Sequence, residues 1–563
     1  MYRGIKIFLV FAILIYILLG VFGCVWLQPE DQTDISQAPE QQQQQEELSP
    51  VHGGKLVFSL PGLSSGNPLL VANYEEKNFF SMVYEGLVKY DDQLKITPAL
   101  AKTWSVDEES KTIVFKLREN VKWHDGEFLS AQDVKFTLDV LRDERIQSVY
   151  AEDLKHITRY KVIDDTTLEV TFETGYKDVL GAFTFPVLSS KQYGGVNDIL
   201  DENADVPLGT GPYRIREYHR RKGFYLERFE GWWKGRPYID EIEVMLVPDK
   251  KSVIATFETG QTDFVHTDAV NSRKYEEAGD INYHKLMTTD YEFLALNFEN
   301  IALRQREVRQ AIAYAIDREE ILANILLGHG VIVDTPIPPN CWMYAPTSDK
   351  YRYNPGKSTR LLQEAGWRML GENNIFSKDM GDKKASLTFT LLVNKDNEIR
   401  CQVADVIKEN LSQVGMQVDV QLLDEEQLTN RLQDKNFDMA LVGWNFSPKY
   451  NLGFALHSNN IEEGSNFVSY SNVRLDGLLD RLNWTADEDT IKKIYGDIQT
   501  LFTEELPYIS LYYRTSSLLI KDKIKGVNPV REDQLFDGIE EWYIIPPKDD
   551  TADGKDAIQD NST

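Results

Sequence analysis

Through the first half of the chain, apolar and polar positions alternate in short runs bounded by turn residues. "GKLVFSL" (54–60), "KTIVFKL" (111–117), "TTLEVTF" (166–172), "GFYLERF" (223–229) and "IDEIEVMLV" (239–247) all carry this period of two or a β-branched equivalent. A period of two places successive side chains on opposite faces, so these segments predict strands with one face buried. The second half changes period. After the strand-like "SLTFTLLV" (386–393), Ile399, Val403, Ile407, Leu411 and Val414 fall on one helical face that ends at Gly415. The strand-like "MQVDVQLL" (416–423) follows, then another helical stretch, then "FDMALVG" (437–443). That β-α-β-α-β order predicts a mostly parallel sheet covered by helices. Upstream, Val308, Ala311, Ile312, Ala315 and Ile316 stripe another helix, and Asp317 with Glu320 three residues on has the spacing of a capping box. No internal repeat is present.

Two segments lie outside this patterning. The chain opens with Arg3 and Lys6 ahead of an uncharged apolar run of 21 residues from Ile7 to Leu27, which has the layout of an export signal. Within it "VFGC" resembles the lipobox of bacterial lipoproteins, in which the peptide is cut before a cysteine that then carries lipid. Here Val21 and Phe22 stand where that motif usually has Leu and a small residue. The run also reaches the ~20 residues needed to span a bilayer. Both readings place the bulk of the chain outside the cytoplasm, anchored to the cell membrane by a lipid on Cys24 or by an uncleaved N-terminal helix. Residues 24–50 are rich in Gln, Glu and Pro and cannot bury enough apolar surface to order themselves, so a stalk of roughly 25 Å reach is expected. Residues 548–563 read as a second disordered tail.

Composition narrows the function. The chain has 563 residues, 42% of them hydrophobic, and a formal charge of −28; removing residues 1–23 deletes two positive charges and deepens that to about −30. Such a surface repels phosphate backbones, so nucleic acid is excluded as a partner. The eight His and three Cys show no HExxH or CxxC spacing, and no metal or cofactor is expected. Whether Cys341 and Cys401 pair is not legible from spacing. "GTGPY" (209–213) lacks the Lys-Ser/Thr ending of a phosphate loop and reads as a turn at a strand start.

The stretch "VKWHDGEFLSAQDVKF" (121–136) sets His124 beside Asp125. Asp125-Gly126 has turn chemistry, and Ser130 is placed to cap the helix that follows. A catalytic His-Asp pair needs a nucleophile or metal at a recognisable spacing, and none is present. The stretch therefore reads as scaffolding.

Several segments resemble one family in order: "LAKTWSVDEESKTIVFKLRENVKWHDGEFLSAQDVKF" (100–136), "PLGTGPYRI" (207–215), "GWWKGRPYIDEIEV", "FETGQTDF", "LNFENIALRQREVRQAIAYAIDREEI" (296–321), "YNPGKSTRLLQEAGW" and "FDMALVGW". They are similar to the extracellular solute-binding proteins, family 5, of peptide- and nickel-type ABC importers, the group of the oligopeptide- and dipeptide-binding proteins. The resemblance covers about residues 54 to 542. It implies an α/β, two-lobed periplasmic-binding-protein-like fold (type II, cluster C) with mixed sheets, a ligand enclosed between lobes, and no catalysis. By analogy lobe I takes 51–90, an inserted subdomain 91–203, then 204–290 and a return over 506–547, and lobe II takes 291–505. The implied partners are a peptide or other small solute and the permease and ATPase subunits of the importer, with the binding protein itself a monomer.

In the family the tract equivalent to "GWNFSPKYN" (443–451) lines the cleft. Trp444, Asn445, Phe446 and Ser447 are therefore expected at the ligand, with Trp444 as an apolar wall and Asn445 as donor and acceptor for a peptide-like group. Asn297, Tyr291 and Asn73 are further candidates. Peptide binders of the family usually place an Asp three residues after the Trp to pair with the ligand's ammonium group. Here that position is Ser447. Since an enclosed, unpaired ammonium costs several kcal/mol, the pocket either borrows a carboxylate from elsewhere or takes a ligand with no free amine there. Lys449 reads as a solvated side chain. Three competing readings stay open: a surface receptor or adhesin on the same fold, a carrier of sugars or metal chelates, and an anchored hydrolase, for which no GxSxG or zinc-protease signature exists.

Overall fold

The computed structural model describes residues 49–546, apart from 72, 108, 110, 174–179, 194, 201–207, 220–221, 269–272, 276–278, 347–350, 371–373, 382, 463 and 530. The apolar N-terminal run, Cys24, nearly all of the Gln-rich segment and the C-terminal tail lie outside the described residues. Among those described, no helix is long and apolar enough to cross a membrane.

β1 (Lys55–Leu60) leads to α1 (Tyr74–Ser81), then to a small hairpin of β2 (Val88–Tyr90) and β3 (Ile96–Pro98). β4 (Ala101–Asp107), β5 (Thr112–Leu117), β6 (Ile157–Asp164) and β7 (Thr167–Phe172) make a separate antiparallel sheet in the order β4-β5-β7-β6, with α2 (Ala131–Leu141) packed on it. The chain then returns through β8 (Tyr213–His219), β9 (Gly223–Arg228) and β10 (Glu241–Leu246), and β10 pairs in parallel with β1. Every run with period two in the first half is a strand.

The "WHDGEF" stretch is scaffolding, as its residue chemistry implies. The His124 ring is buried; its Nδ1 accepts from the Gly209 N–H at 3.3 Å, and its Nε2 donates to the Gly211 carbonyl at 3.1 Å. Burial pulls its pKa down to about 4, so the ring is neutral. A side chain on Gly209 or Gly211 would run into the backbone of Met82 and Val83, so these glycines serve close approach rather than phosphate binding. Asp133, 3% exposed, accepts from the Ser130 N–H and hydroxyl at the start of α2 and from Ser190 on the neighbouring loop.

After α3 (Lys250–Glu258) and β11 (Phe264–Asp268), the chain enters β12, Ile281–Leu296, 16 residues long. α4 (Arg306–Ala315) buries the predicted stripe. Asp317 caps the next turn through the Glu320 N–H, but its own N–H goes to Asn410 rather than closing a capping box. β13 (Gly330–Ile332), β14 (Thr388–Asn394), α5 (Glu398–Gln413), β15 (Gln417–Leu423) and β16 (Met439–Asn445) follow. β14 pairs in parallel with both β15 and β16, as the β-α-β-α-β pattern requires. β16, however, runs antiparallel to β12, and β12 antiparallel to β17, Tyr508–Lys521, so the sheet is mixed. Cys341 and Cys401 form no disulfide.

The apolar side chains gather into separate cores. One is built from residues between Leu56 and Leu286 and again from Leu518 to Trp542; two others draw on residues between Tyr291 and Tyr513, with Leu94 from between β2 and β3 joining the third. β12 and β17 run through both regions: Leu286 and Leu518 pack in the first, Phe293 and Tyr508 in the third. Their pairing breaks where they pass between, with register shifts between Met287 and Tyr291 and between Glu292 and Phe293. Such a break bends a strand and re-aims its side chains.

Between the two register shifts, Glu292, 4% exposed, meets Arg400 of α5 in a two-pronged ion pair at 2.8 and 3.0 Å. Gly443, opposite Glu292 in β16, leaves the space, since a Cβ there would sit 2.7 Å from the Arg400 guanidinium. Removing one partner strands a buried charge. Glu292→Ala should therefore cost about 3 kcal/mol, read as a lower chemical-denaturation midpoint at unchanged slope.

Candidate functional site

A cavity of about 890 Å³ opens at the strand break. Its walls come from both sides of it: Asn73, Lys77 and Asn78 at α1, Asp153 from the short helical turn before β6, and Thr288, Thr289 and Asp290 from β12. Asn445, Phe446, Ser447 and Lys449 follow β16, Arg514 to Ser516 belong to β17, and Glu532 and Asp533 to the loop after it. A parallel bridge between Met287 and Arg531 sets that loop against the break.

Of the residues read from sequence, Asn73, Asn445, Phe446 and Ser447 come together on this cavity. Asn73 is also the cap of α1, accepting from the Glu76 N–H at 2.8 Å. Asn445 donates to the Asp290 carboxylate across the strand pair at 2.8 Å. Trp444 does not line the cavity. Alternation along β16 turns it with Ala440, Val442 and Phe446 toward the third core, where it meets the rings of Phe293, Phe454 and Phe467. Tyr291 is fully buried, with its hydroxyl 2.6 Å from that of Ser510. Asn297 is 3% exposed and donates to the carbonyls of Lys435 and Phe437. Both are interior side chains, because each lies in the part of β12, or just past it, that has already entered the second region. Lys449 is not solvated either: its side chain is 13% exposed and pairs with Asp153 at 2.5 Å, joining the two sides of the cavity.

The polar wall that sequence reading missed is acidic. Eight carboxylates and six basic side chains line the cavity, and most of the basic ones are already engaged. Lys89 pairs with Asp537, Lys234 with Glu540, Lys250 with Glu75 and Lys449 with Asp153. Glu85 is half-buried and held by Trp233 Nε1 and the Thr210 hydroxyl, and desolvation raises its pKa. Glu532, 8% exposed, is pushed up to about 7 by burial and by the neighbouring Asp290 charge. His266 beside it, 3.8 Å away, is held down to about 4 by burial and stays neutral. Burial also lowers the Lys77 pKa. Nothing in the spacing of "REDQLF" marks Glu532; the only local hint to Asp290 was its place beside Tyr291.

No side chain on this wall has the partners of a nucleophile, and among the described residues no group of three His, Cys, Asp or Glu could hold a metal. The arrangement is suited to enclosing and orienting a polar solute. The chain matches the model of "Bacterial extracellular solute-binding proteins, family 5 Middle" over residues 95–462, well over half its length. It belongs to that family of solute-binding proteins. It is similar to the oligopeptide-binding protein AppA of Bacillus subtilis, 28% identical over 510 residues, 88% of this chain and 92% of that one. It is also similar to the nickel-binding periplasmic protein of Escherichia coli, 26% identical over 467 residues, 79% and 86% of the two chains. The solved structure of AppA with a nonapeptide superposes with a TM-score of 0.61 at 25% identity, covering 88% of this chain and all of that one. A family-5 solute-binding protein thus has the mixed α/β architecture read from its sequence.

The raised Glu532 value has a consequence for stability. Its ordinary value is 4.5 and its folded value about 7, so the fold disfavours the ionised form. That cost is absent below about pH 4.5, grows as pH rises toward 7 and is constant above. Glu532→Gln should therefore raise the melting temperature of the ligand-free protein at pH 8 and raise it less at pH 5.

Proposed function

We propose that this solute-binding protein captures a peptide or peptide-like solute in the cavity at the break of β12 and β17 and delivers it to the permease of an ABC importer. The carrying observation is the placement of that cavity. Its walls come from regions with separate cores, and two long strands run through both. Clefts of this kind concentrate small-molecule sites, and 890 Å³ is near the upper end of the ~300–1,000 Å³ such pockets span. The regions act as two lobes with the paired strands as hinge, so that closure buries the solute. The mixed polar lining, with amide, hydroxyl and charged groups of both signs, suits a backbone-rich solute better than an apolar one, and water fills the space a short ligand leaves. Relatives named for oligopeptide binding and for nickel binding agree on a small solute and divide on its identity. The amide, hydroxyl and charged groups of the lining favour the peptide reading. The protein works outside the cytoplasm, anchored at Cys24 or through the apolar N-terminal run.

The test is thermal unfolding of the purified extracytoplasmic part against peptides of increasing length, sugars and nickel chelates. A peptide at a hundred times its dissociation constant stabilises the native state by about 2.7 kcal/mol, and the melting temperature should rise accordingly. Stabilisation by chelates or sugars alone would replace the peptide reading, and no stabilisation by any solute would remove it.

A further inference from the structure

The cavity wall has an uncompensated negative spot where the strand pairing breaks. No lysine or arginine among the described residues forms an ion pair with Asp290 or Glu532. The basic side chain nearest in sequence to Glu532 is Arg531; its Nε donates to Asp533 at 3.0 Å, and the side chain is fully buried away from the cavity lining. Lys250, which acts on Glu532 at longer range, pairs with Glu75 at 2.9 Å. Arg514 and Lys77 line the same cavity, but neither pairs with the two carboxylates. Asp290 has one neutral donor, the Asn445 amide. Glu532 is more than nine-tenths buried, faces the cavity, and is met only by neutral donors, the Ser516 hydroxyl and the Thr289 N–H, and by neutral His266. Tyr74 and Glu75 of α1 and Asp268 of β11 complete its surroundings and add no positive charge.

Two carboxylates beside each other in a partly dry wall cannot both ionise cheaply. The protein relieves this in part by letting Glu532 hold its proton up to about pH 7. A ligand cation relieves it better, because a buried charge is tolerated once it is paired and hydrogen-bonded. We propose that Asp290 and Glu532 form the subsite for an ammonium or guanidinium group of the solute, and that this cation enters in exchange for a proton on Glu532. The subsite rests on the solute-capture reading above and specifies what that cavity selects: a solute with a positive end lodged at the strand break. The Glu532 O–H proton passes to solvent water as the cation enters, so the charge of the subsite is conserved and no other bond is made or broken.

The experiment is affinity selection from random pentapeptide libraries without Lys, Arg or His, one with free amino termini and one N-acetylated, with a third N-acetylated library carrying a single Lys. The free-amine library should be retained at least tenfold better than the acetylated one. Recovery of binding in the Lys library would assign the cation to a side chain, and its absence to the terminus; either supports the subsite. Glu532→Gln and Asp290→Asn should each lower retention of the cationic peptides about tenfold and leave the acetylated ones unchanged. For a selected cationic peptide, affinity should fall by up to about tenfold per pH unit below 7 and level off above it, with a proton released on binding in calorimetry; its acetylated form should show neither. Equal retention of all three libraries, or equal loss of cationic and acetylated peptides in the variants, overturns the cation subsite while leaving peptide capture intact. Retention of no library overturns both.

Discussion

The structure depends on how β12 and β17 pair. Each is long enough to be a member of two regions, contributing apolar side chains to the first core at one end and to the second and third cores at the other. Continuous pairing would have made the junction a solid sheet. The register shifts at Met287–Tyr291 and Glu292–Phe293 prevent that, and the side chains released there, Thr288, Thr289 and Asp290, become cavity wall. Covalent continuity through two paired strands and a local gap in their ladder is the combination a closing cleft requires: the halves stay attached while the space between them remains available.

The same place decides the electrostatics. Elsewhere on the surface the excess of acidic residues is solvated and costs little. Around the cavity the charges are partly buried, and the chain handles most of them by pairing, as in Lys449 with Asp153 and Lys250 with Glu75. Lys449 shows how far this goes, since a lysine in a loop rich in turn residues is held at 13% exposure by a carboxylate from the other side. Where pairing stops, burial and the neighbouring Asp290 charge raise the Glu532 pKa.

The scaffold was largely legible from local pattern. The five alternating runs of the first half, the stripe of Val308 to Ile316 and the alternation of strand and helix from Thr388 to Asn445 are local facts with local causes, and each became the element its period implied. The scaffold role of His124 followed from the absence of a partner and is explained by its bonds to Gly209 and Gly211. The cavity-lining tract was legible in part: Asn445, Phe446 and Ser447 lie on it, whereas Trp444 follows the alternation of β16 into the core. Reading β16 strictly with period two separates Trp444 from Asn445, whereas the family resemblance implies both at the ligand.

What the sequence determined by itself is what depends on neighbours a few positions apart: strand and helix periods, caps, turns, an acidic composition, and the ordered motifs that mark the family. What only the tertiary structure decided is which polar groups face one another. Asp153 and Lys449 are separated by almost 300 positions and Asp290 and Glu532 by more than 240, and no local pattern links them. Their meeting is set by where two strands cross from one core to another, and the burial that shifts a carboxyl pKa belongs to the closed surroundings rather than to the residue.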